Sequence, residues 1–171
     1  DALEVELSSV ATTLTSDPDG VVSSYSGSGT LIYAYEGGVA LDYTTDTNVT
    51  NPSSWSVVST TVYTNGTIST DITVGNIVDG GTDAIVGSHS GMSVSVDSVR
   101  IEYELIIKVA DGTTQTRTLS QSVAKVKSGD PGLNSAIVSL YQKTTTTSPP
   151  ADPSGTFTYT FSTSVLSGGT L

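Results

Sequence analysis

The stretch Val99-Arg-Ile-Glu-Tyr-Glu-Leu-Ile-Ile-Lys-Val109 alternates apolar side chains with mostly polar ones. Successive side chains of a β-strand point to opposite faces of a sheet, so this pattern predicts a long, half-buried strand. Asp111-Gly112 then predicts a tight turn, and residues 113 to 127 are expected to run back antiparallel. This long hairpin is the strongest local signal in the sequence.

Shorter strands precede this hairpin. Leu3, Val5 and Leu7 alternate with glutamates and are predicted to face a core. Residues 30 to 35 and 39 to 44 flank Glu36-Gly-Gly38 as a second hairpin, and residues 55 to 63 and 67 to 74 flank the two-residue turn Asn65-Gly66. The inward residues predicted for the second hairpin are Tyr33, Tyr35, Leu41 and Tyr43.

About seven to nine short strands without helical periodicity predict an all-β fold, specifically an Ig-like antiparallel β-sandwich over residues 1–127. Trp55 resembles the core tryptophan of such a sandwich, although the chain has no cysteine pair to accompany it. The segment from Gly75 to Gly91 is rich in Gly and Asp and is predicted to be a long loop carrying one or two short strands. Since long loops often carry binding, Asp79, Asp83 and His89 are its candidate recognition residues.

Lys127 is followed by a Gly/Pro-rich segment, 128–135, which is predicted to be a hinge. Proline fixes its own φ and pushes the preceding residue into an extended conformation, so neither strand can run through Gly129, Asp130, Pro131 and Gly132. Residues 136–171 then begin a second β module, with strands at 137 to 142 and 156 to 161 joined by a Thr/Pro linker at 144 to 153. Two strands cannot close a core, so this unit is expected either to be truncated at Leu171 or to be completed by a neighbouring chain.

The charge of the chain is unevenly distributed. The net charge is -11, and residues 1 to 99 contain twelve acidic residues but no Lys or Arg. Nucleic acids and anionic membranes are bound mainly through clustered Lys and Arg, so neither is an expected partner. No apolar run is long enough for membrane insertion, and the lack of cysteine excludes disulfides and thiolate metal sites.

The second half of the chain carries a family resemblance. Val-Ala-Lys-Val-Lys-Ser-Gly-Asp-Pro-Gly (123 to 132) is followed by Ala-Ile-Val-Ser-Leu-Tyr-Gln-Lys (136 to 143) and Pro-Ser-Gly-Thr-Phe-Thr-Tyr-Thr-Phe-Ser-Thr (153 to 163). This order resembles the tail-fibre and host-specificity (central fibre, tail-tip) proteins of tailed bacteriophages, most specifically over residues 120–171. The resemblance implies a homotrimeric virion structural protein of the phage tail, which works with other tail proteins and a host cell-surface receptor or polysaccharide.

No catalytic set is apparent from the sequence. His89 is the sole histidine and is predicted to be a surface-loop residue, because neither a second His nor a Cys exists to share a metal with it. Two aspartate pairs are considered as Ca²⁺ ligands: Asp17 with Asp19, and Asp79 with Asp83. Neither pair matches the ligand spacing of a Ca²⁺ loop, so turn formation is favoured and no cofactor is expected. Glu102 and Glu104 share a strand face, where Arg100 and Lys108 make surface pairing the favoured use over glycoside hydrolysis.

The tyrosines at 33, 35 and 43 and Trp55 are weighed as an aromatic platform for sugars, with the core as the favoured place. The sequence-level hypothesis is therefore a non-enzymatic structural module of a phage tail fibre or tail tip. The alternatives are a glycan- or receptor-binding module, and a secreted or cell-surface adhesin or filament subunit completed by strand exchange.

Overall fold

The computed structural model describes residues 2–129 in full and, further along the chain, the strands at 154–160 and 165–170. The chain divides into two compact units, Asp1–Asp130 and Pro131–Leu171. The hinge residues Asp130, Pro131 and Gly132, the predicted strand at 137 to 142 and the linker at 144 to 153 lie outside the described residues. The described residues form strands, turns and loops without a helix, so the all-β prediction is confirmed. In that part of the chain, no helix is long and apolar enough to cross a membrane.

The first unit contains eleven strands, and the described residues of the second unit form two more. They are β1 Leu3–Leu7, β2 Ala11–Ser16, β3 Thr30–Glu36, β4 Val39–Ala40, β5 Asp42–Tyr43, β6 Ser54–Thr64, β7 Thr67–Ile68, β8 Ile77–Asp79, β9 Asp83–Val86, β10 Ser98–Lys108, β11 Thr114–Lys127, β12 Ser154–Thr160 and β13 Val165–Thr170. β12 and β13 pair antiparallel with each other.

Two sheets form the first unit. The first sheet has the order β1-β3-β9-β8, with β4 also on β3, and the second has the order β2-β11-β10-β6-β5, with β7 on β6. β1 pairs antiparallel with β3, whereas β2, the next strand along, pairs parallel with β11 in the other sheet. β5 also pairs parallel with β6, so the second sheet is mixed. When β2, β4, β5 and β7 are left aside, the remaining orders β1-β3-β9-β8 and β11-β10-β6 are compatible with an Ig-like sandwich, which stays a prediction beyond the all-β fold.

A single apolar core lies between the two sheets. The long strand β10 supplies Ile101, Tyr103, Leu105 and Ile107, all fully buried, as its alternation predicts. Trp55 is also fully buried, packs edge-on against Tyr43 with 4.8 Å between ring centroids, and donates its indole N–H to the carbonyl of Leu41 at 3.2 Å. Leu3, Val5 and Leu7 pack against this core as predicted.

The prediction that Tyr33 and Tyr35 face inward is wrong. Ile32 and Ala34, the alternate positions of β3, are fully buried, and the two tyrosines lie half-buried on the outer face. Both faces of this strand are apolar, so alternation alone could not choose between them. Pairing with β1 decides which face of β3 is buried. Val5 lies opposite Ala34 on the inner face, whereas the glutamates of β1 lie opposite the tyrosines on the outer face.

The predicted turns are confirmed, but one predicted strand is much shorter than expected. Asn65 and Gly66 have φ values of 50° and 81° between β6 and β7, as a type I′ turn requires. The return strand ends at Ile68 instead of residue 74. Ile68, the one large side chain of β7, is 69% exposed, so little apolar burial favours a longer strand. Beyond β7, the Thr64 hydroxyl donates to Asp71 at 2.6 Å, and this hydrogen bond holds the chain in a local loop.

The first unit has two poles. At the N-terminal pole, the Ala2 carbonyl accepts from the Gly37 amide, and Glu36 accepts from the Ala110 amide beside the β10–β11 turn. β11 starts at this pole and ends at the C-terminal pole, where the Ser128 amide donates to the Ser16 carbonyl. The chain therefore enters the sandwich at one pole and leaves it at the other.

Candidate functional site

His89 is buried, with 1% of its surface exposed, so its prediction as a surface-loop residue is wrong. Its Nδ1 accepts from the Gly75 amide at 3.1 Å, which leaves the proton on Nε2, and Nε2 donates to Gln121 Oε1 at 3.0 Å. Its own amide donates to the Ser28 hydroxyl at 2.8 Å. Burial lowers the pKa of His89, which keeps the imidazole neutral, and the hydrogen bond to Gln121 opposes this only in part.

Gln121, in β11, is the centre of this network. Its Oε1 accepts from Tyr103 Oη at 2.9 Å as well as from His89, and its Nε2 donates to the Ser28 carbonyl at 3.0 Å. Gln121 and Tyr103 are fully buried, and desolvation strongly raises the pKa of the Tyr103 hydroxyl. We call Ser28, His89, Tyr103 and Gln121 the inter-sheet hub, because they tie the loops of the first sheet to the second sheet.

Glycines bring three chain segments together beside the hub. A Cβ atom at Gly29 would lie 2.1 Å from the Val86 carbonyl oxygen, and one at Gly75 would lie 2.1 Å from the Gly87 carbonyl oxygen. Only glycine permits such approaches of backbone to backbone. Both ring nitrogens of His89 have hydrogen-bond partners within the protein, and all four residues of the hub are buried.

The predicted recognition loop contains a strand hairpin that forms one edge of the first sheet. It contains β8 and β9, as predicted, but Asp79 and Asp83 flank the turn at one end, whereas His89 follows β9 at the other. Asp79 Oδ1 accepts from the Gly81 amide at 2.7 Å, and the Asp83 carbonyl accepts from the Gly80 amide at 2.9 Å. The structure therefore does not bring the three candidate residues together, because an extended strand separates them.

The other acidic candidates have local roles. Asp17 Oδ1 accepts from the Val21 amide at 2.8 Å within a turn, as favoured from sequence. Glu102 pairs with Arg100, which also lies 4.5 Å from the centre of the Tyr63 ring, and Glu104 accepts from the Ser59 hydroxyl. Within residues 2–129 and the two described strands of the second unit, no group of three His, Asp or Glu residues is placed to hold a metal ion.

Lys125 was not singled out from the sequence as a special residue, yet it is 6% exposed. Its ammonium donates to the carbonyls of Gly20, Ser93 and Val94 at 3.1, 2.8 and 3.0 Å. Three backbone acceptors replace the water that a buried ammonium loses. Of the predicted hinge segment 128–135, the structure describes Ser128 and Gly129. Gly129 is exposed, and a Cβ atom added to it would meet no neighbouring atom.

The four aromatic residues considered as a platform for sugars do not share one surface. Tyr43 and Trp55 are buried, whereas Tyr33 and Tyr35 stack on the outer face with ring centroids 6.2 Å apart. Partial desolvation, followed by the nearby Glu6 carboxylate, raises the pKa of Tyr35. Beyond these tyrosines, at Leu31, an open cavity of about 330 Å³ is lined by backbone and by side chains that do not titrate: Ser8, Gly27, Gly29, Thr30, Leu31, Val86, Gly87 and Ser88.

Comparison with protein-family models, curated proteins and solved structures finds no match to this chain.

Proposed function

We propose that residues 1–127 are a non-enzymatic structural module of a phage tail fibre or tail tip, which spaces or presents host-receptor-binding parts outside the cell. The observation that carries the proposal is the pair of opposite poles. A module that receives the chain at one end and releases it at the other adds its length to a fibre. The fourteen residues of β11 alone span roughly 43 Å at about 3.3 Å per residue.

The interior of the module supports a mechanical role. The inter-sheet hub and the Lys125 contacts join segments far apart in sequence, such as Gly20 and Lys125, through buried hydrogen bonds. Buried polar networks whose groups are all paired make a core rigid and specify one arrangement. Such a module transmits force between its neighbours without needing a catalytic centre.

The test is to locate the chain in its natural material. An antibody raised against residues 2–129 is applied to particles purified from the source of the sequence and is observed by electron microscopy with gold labelling. The expected result is label on tail fibres or tail tips, which is abolished when the antibody is first absorbed with the purified chain. Label confined to cell surfaces would contradict the proposal and favour a cell-surface adhesin or filament subunit.

The assembly state is a separate part of the proposal. We expect the full chain to be a homotrimer, and sedimentation equilibrium would then give a mass three times that of the chain. A monomer at every concentration would remove the trimer from the proposal.

A further inference from the structure

The outer face of the first sheet carries a continuous apolar strip. Val78 lies opposite Ile85, Ile85 lies opposite Leu31, and Leu31 shares its face of β3 with Tyr33 and Tyr35. Val78 is 50% exposed and Ile85 is 38% exposed, and the other three residues are half-buried. We call Leu31, Tyr33, Tyr35, Val78 and Ile85 the outer strip. Rigid aromatic and aliphatic side chains grouped in this way are typical of the centre of a protein interface.

Carboxylates border the outer strip in register with its tyrosines. Glu4 lies opposite Tyr35, and Tyr33 lies between Glu6 on β1 and Asp83 on β9. The strands of the first sheet contain no Lys or Arg, since none occurs before position 100. The ion pairs formed within residues 2–129, Arg100–Glu102 and Lys127–Asp97, lie in other parts of the molecule.

We propose that the outer strip docks an extended, basic segment of a partner protein in which Lys or Arg residues occupy alternate positions. Charge complementarity selects a cationic partner, since the apolar centre has an uncompensated acidic border. The spacing of the carboxylates and tyrosines selects a partner segment in extended conformation. Glu4 and Glu6, like the two tyrosines beside them, repeat every second residue, which is also the repeat of side chains on one face of a strand. Each cationic group would meet both a carboxylate and a tyrosine ring, so that an ion pair and a cation–π contact act together.

Other occupants fit this face less well. Two copies packed through it would bring their carboxylates together without a counter-charge. The chain's own alternate lysines, Lys125 and Lys127, cannot serve, because the ammonium of Lys125 is held inside the sandwich by three carbonyls. An anionic polymer would be repelled by Glu4, Glu6 and Asp83.

The probe is a fluorescent peptide in which lysine and threonine alternate, titrated with the full chain at low salt and followed by fluorescence anisotropy. We expect saturable binding that weakens as salt is added. The double variant Glu4→Gln/Glu6→Gln removes two charges from the border with little change in shape, and should lower the affinity roughly three- to tenfold. Tyr33→Thr/Tyr35→Thr should lower it by a similar factor through loss of the rings.

The matched control is Glu102→Gln/Glu104→Gln, which likewise removes two carboxylates, here from the second sheet, and should leave binding unchanged. Equal loss in this control would show unspecific attraction to an acidic protein and would overturn the proposal. The same applies if a peptide of alternating aspartate and threonine binds as well, or if a neutral oligosaccharide displaces the basic peptide. Self-association that the Tyr33→Thr/Tyr35→Thr variant abolishes would assign the face to a second copy and would also overturn it.

Discussion

Gln121 is the residue at which a single substitution should test the fold most sharply. Gln121→Met preserves the length and approximate volume of the side chain but removes its amide. The hydroxyl of Tyr103, the Nε2–H of His89 and the carbonyl of Ser28 then lose their partner together. All three groups lie in the interior, where water cannot easily replace the lost hydrogen bonds.

The expected loss follows from those three groups. A buried polar group left unpaired costs about 1–3 kcal/mol, and neighbouring groups are not fully additive. We therefore expect Gln121→Met to lower the free energy of unfolding by about 3–5 kcal/mol, a large share of the roughly 5–15 kcal/mol that a domain has. Tyr103→Phe removes one donor without removing its partner and should cost only about 1 kcal/mol.

Guanidinium unfolding, followed by the fluorescence of the buried Trp55, measures both values. The matched control is Gln115→Met on the same strand, where the amide oxygen accepts only from Arg117 at the surface, and its expected cost is under about 0.5 kcal/mol. A Gln121→Met variant as stable as the Gln115→Met control would refute the view that the hub holds the two sheets together.

Three further predictions concern stability. Because burial lowers the pKa of His89 below its ordinary value of 6.5, the unfolded chain binds a proton first. The free energy of unfolding should therefore be highest above pH 6.5 and fall as the pH drops through that value, by at most about 1.4 kcal/mol per pH unit. His89 is the chain's only histidine. A free energy of unfolding that stays constant between about pH 5.5 and 7.5 would contradict its burial in the neutral form. Lys125→Met leaves three carbonyls without their donor and should lower the free energy of unfolding by about 2–4 kcal/mol. Its control, Lys127→Met, loses only an exposed ion pair and should lower it by under about 1 kcal/mol. Equal losses in urea unfolding would argue against a stabilising role for the buried Lys125 ammonium. Gly75→Ala places a methyl group against backbone and should lower the free energy of unfolding by more than about 2 kcal/mol in thermal unfolding, whereas Gly129→Ala, at a position with open space, should leave it unchanged. A Gly75→Ala variant with an unchanged melting temperature would show that the segments at Gly75 and Gly87 can move apart freely.

Local patterns determined much of the fold. The alternation from Val99 to Val109 fixed both the strand and its buried face, because every second position there is apolar and the others are mostly charged. Asn65-Gly66 and Asp111-Gly112 fixed their turns through residues that accept positive φ or local hydrogen bonds. Trp55 was assigned to the core for the ordinary reason that a large aromatic residue in an alternating strand is most often buried.

What the sequence could not decide depended on partners distant along the chain. β3 has two apolar faces, so its inward face was chosen by the register with β1 and not by its own residues. His89 has the neighbours of a loop residue, and its burial depends on Gln121, 32 positions away, and on Ser28, 61 positions away. Lys125 likewise looks like a surface lysine until the loops at Gly20 and Val94 supply its acceptors. Alternation and turn residues are local properties that the sequence itself determines, whereas the pairing of buried polar groups is a property of the closed sandwich, since only tertiary packing removes the water that would otherwise satisfy them.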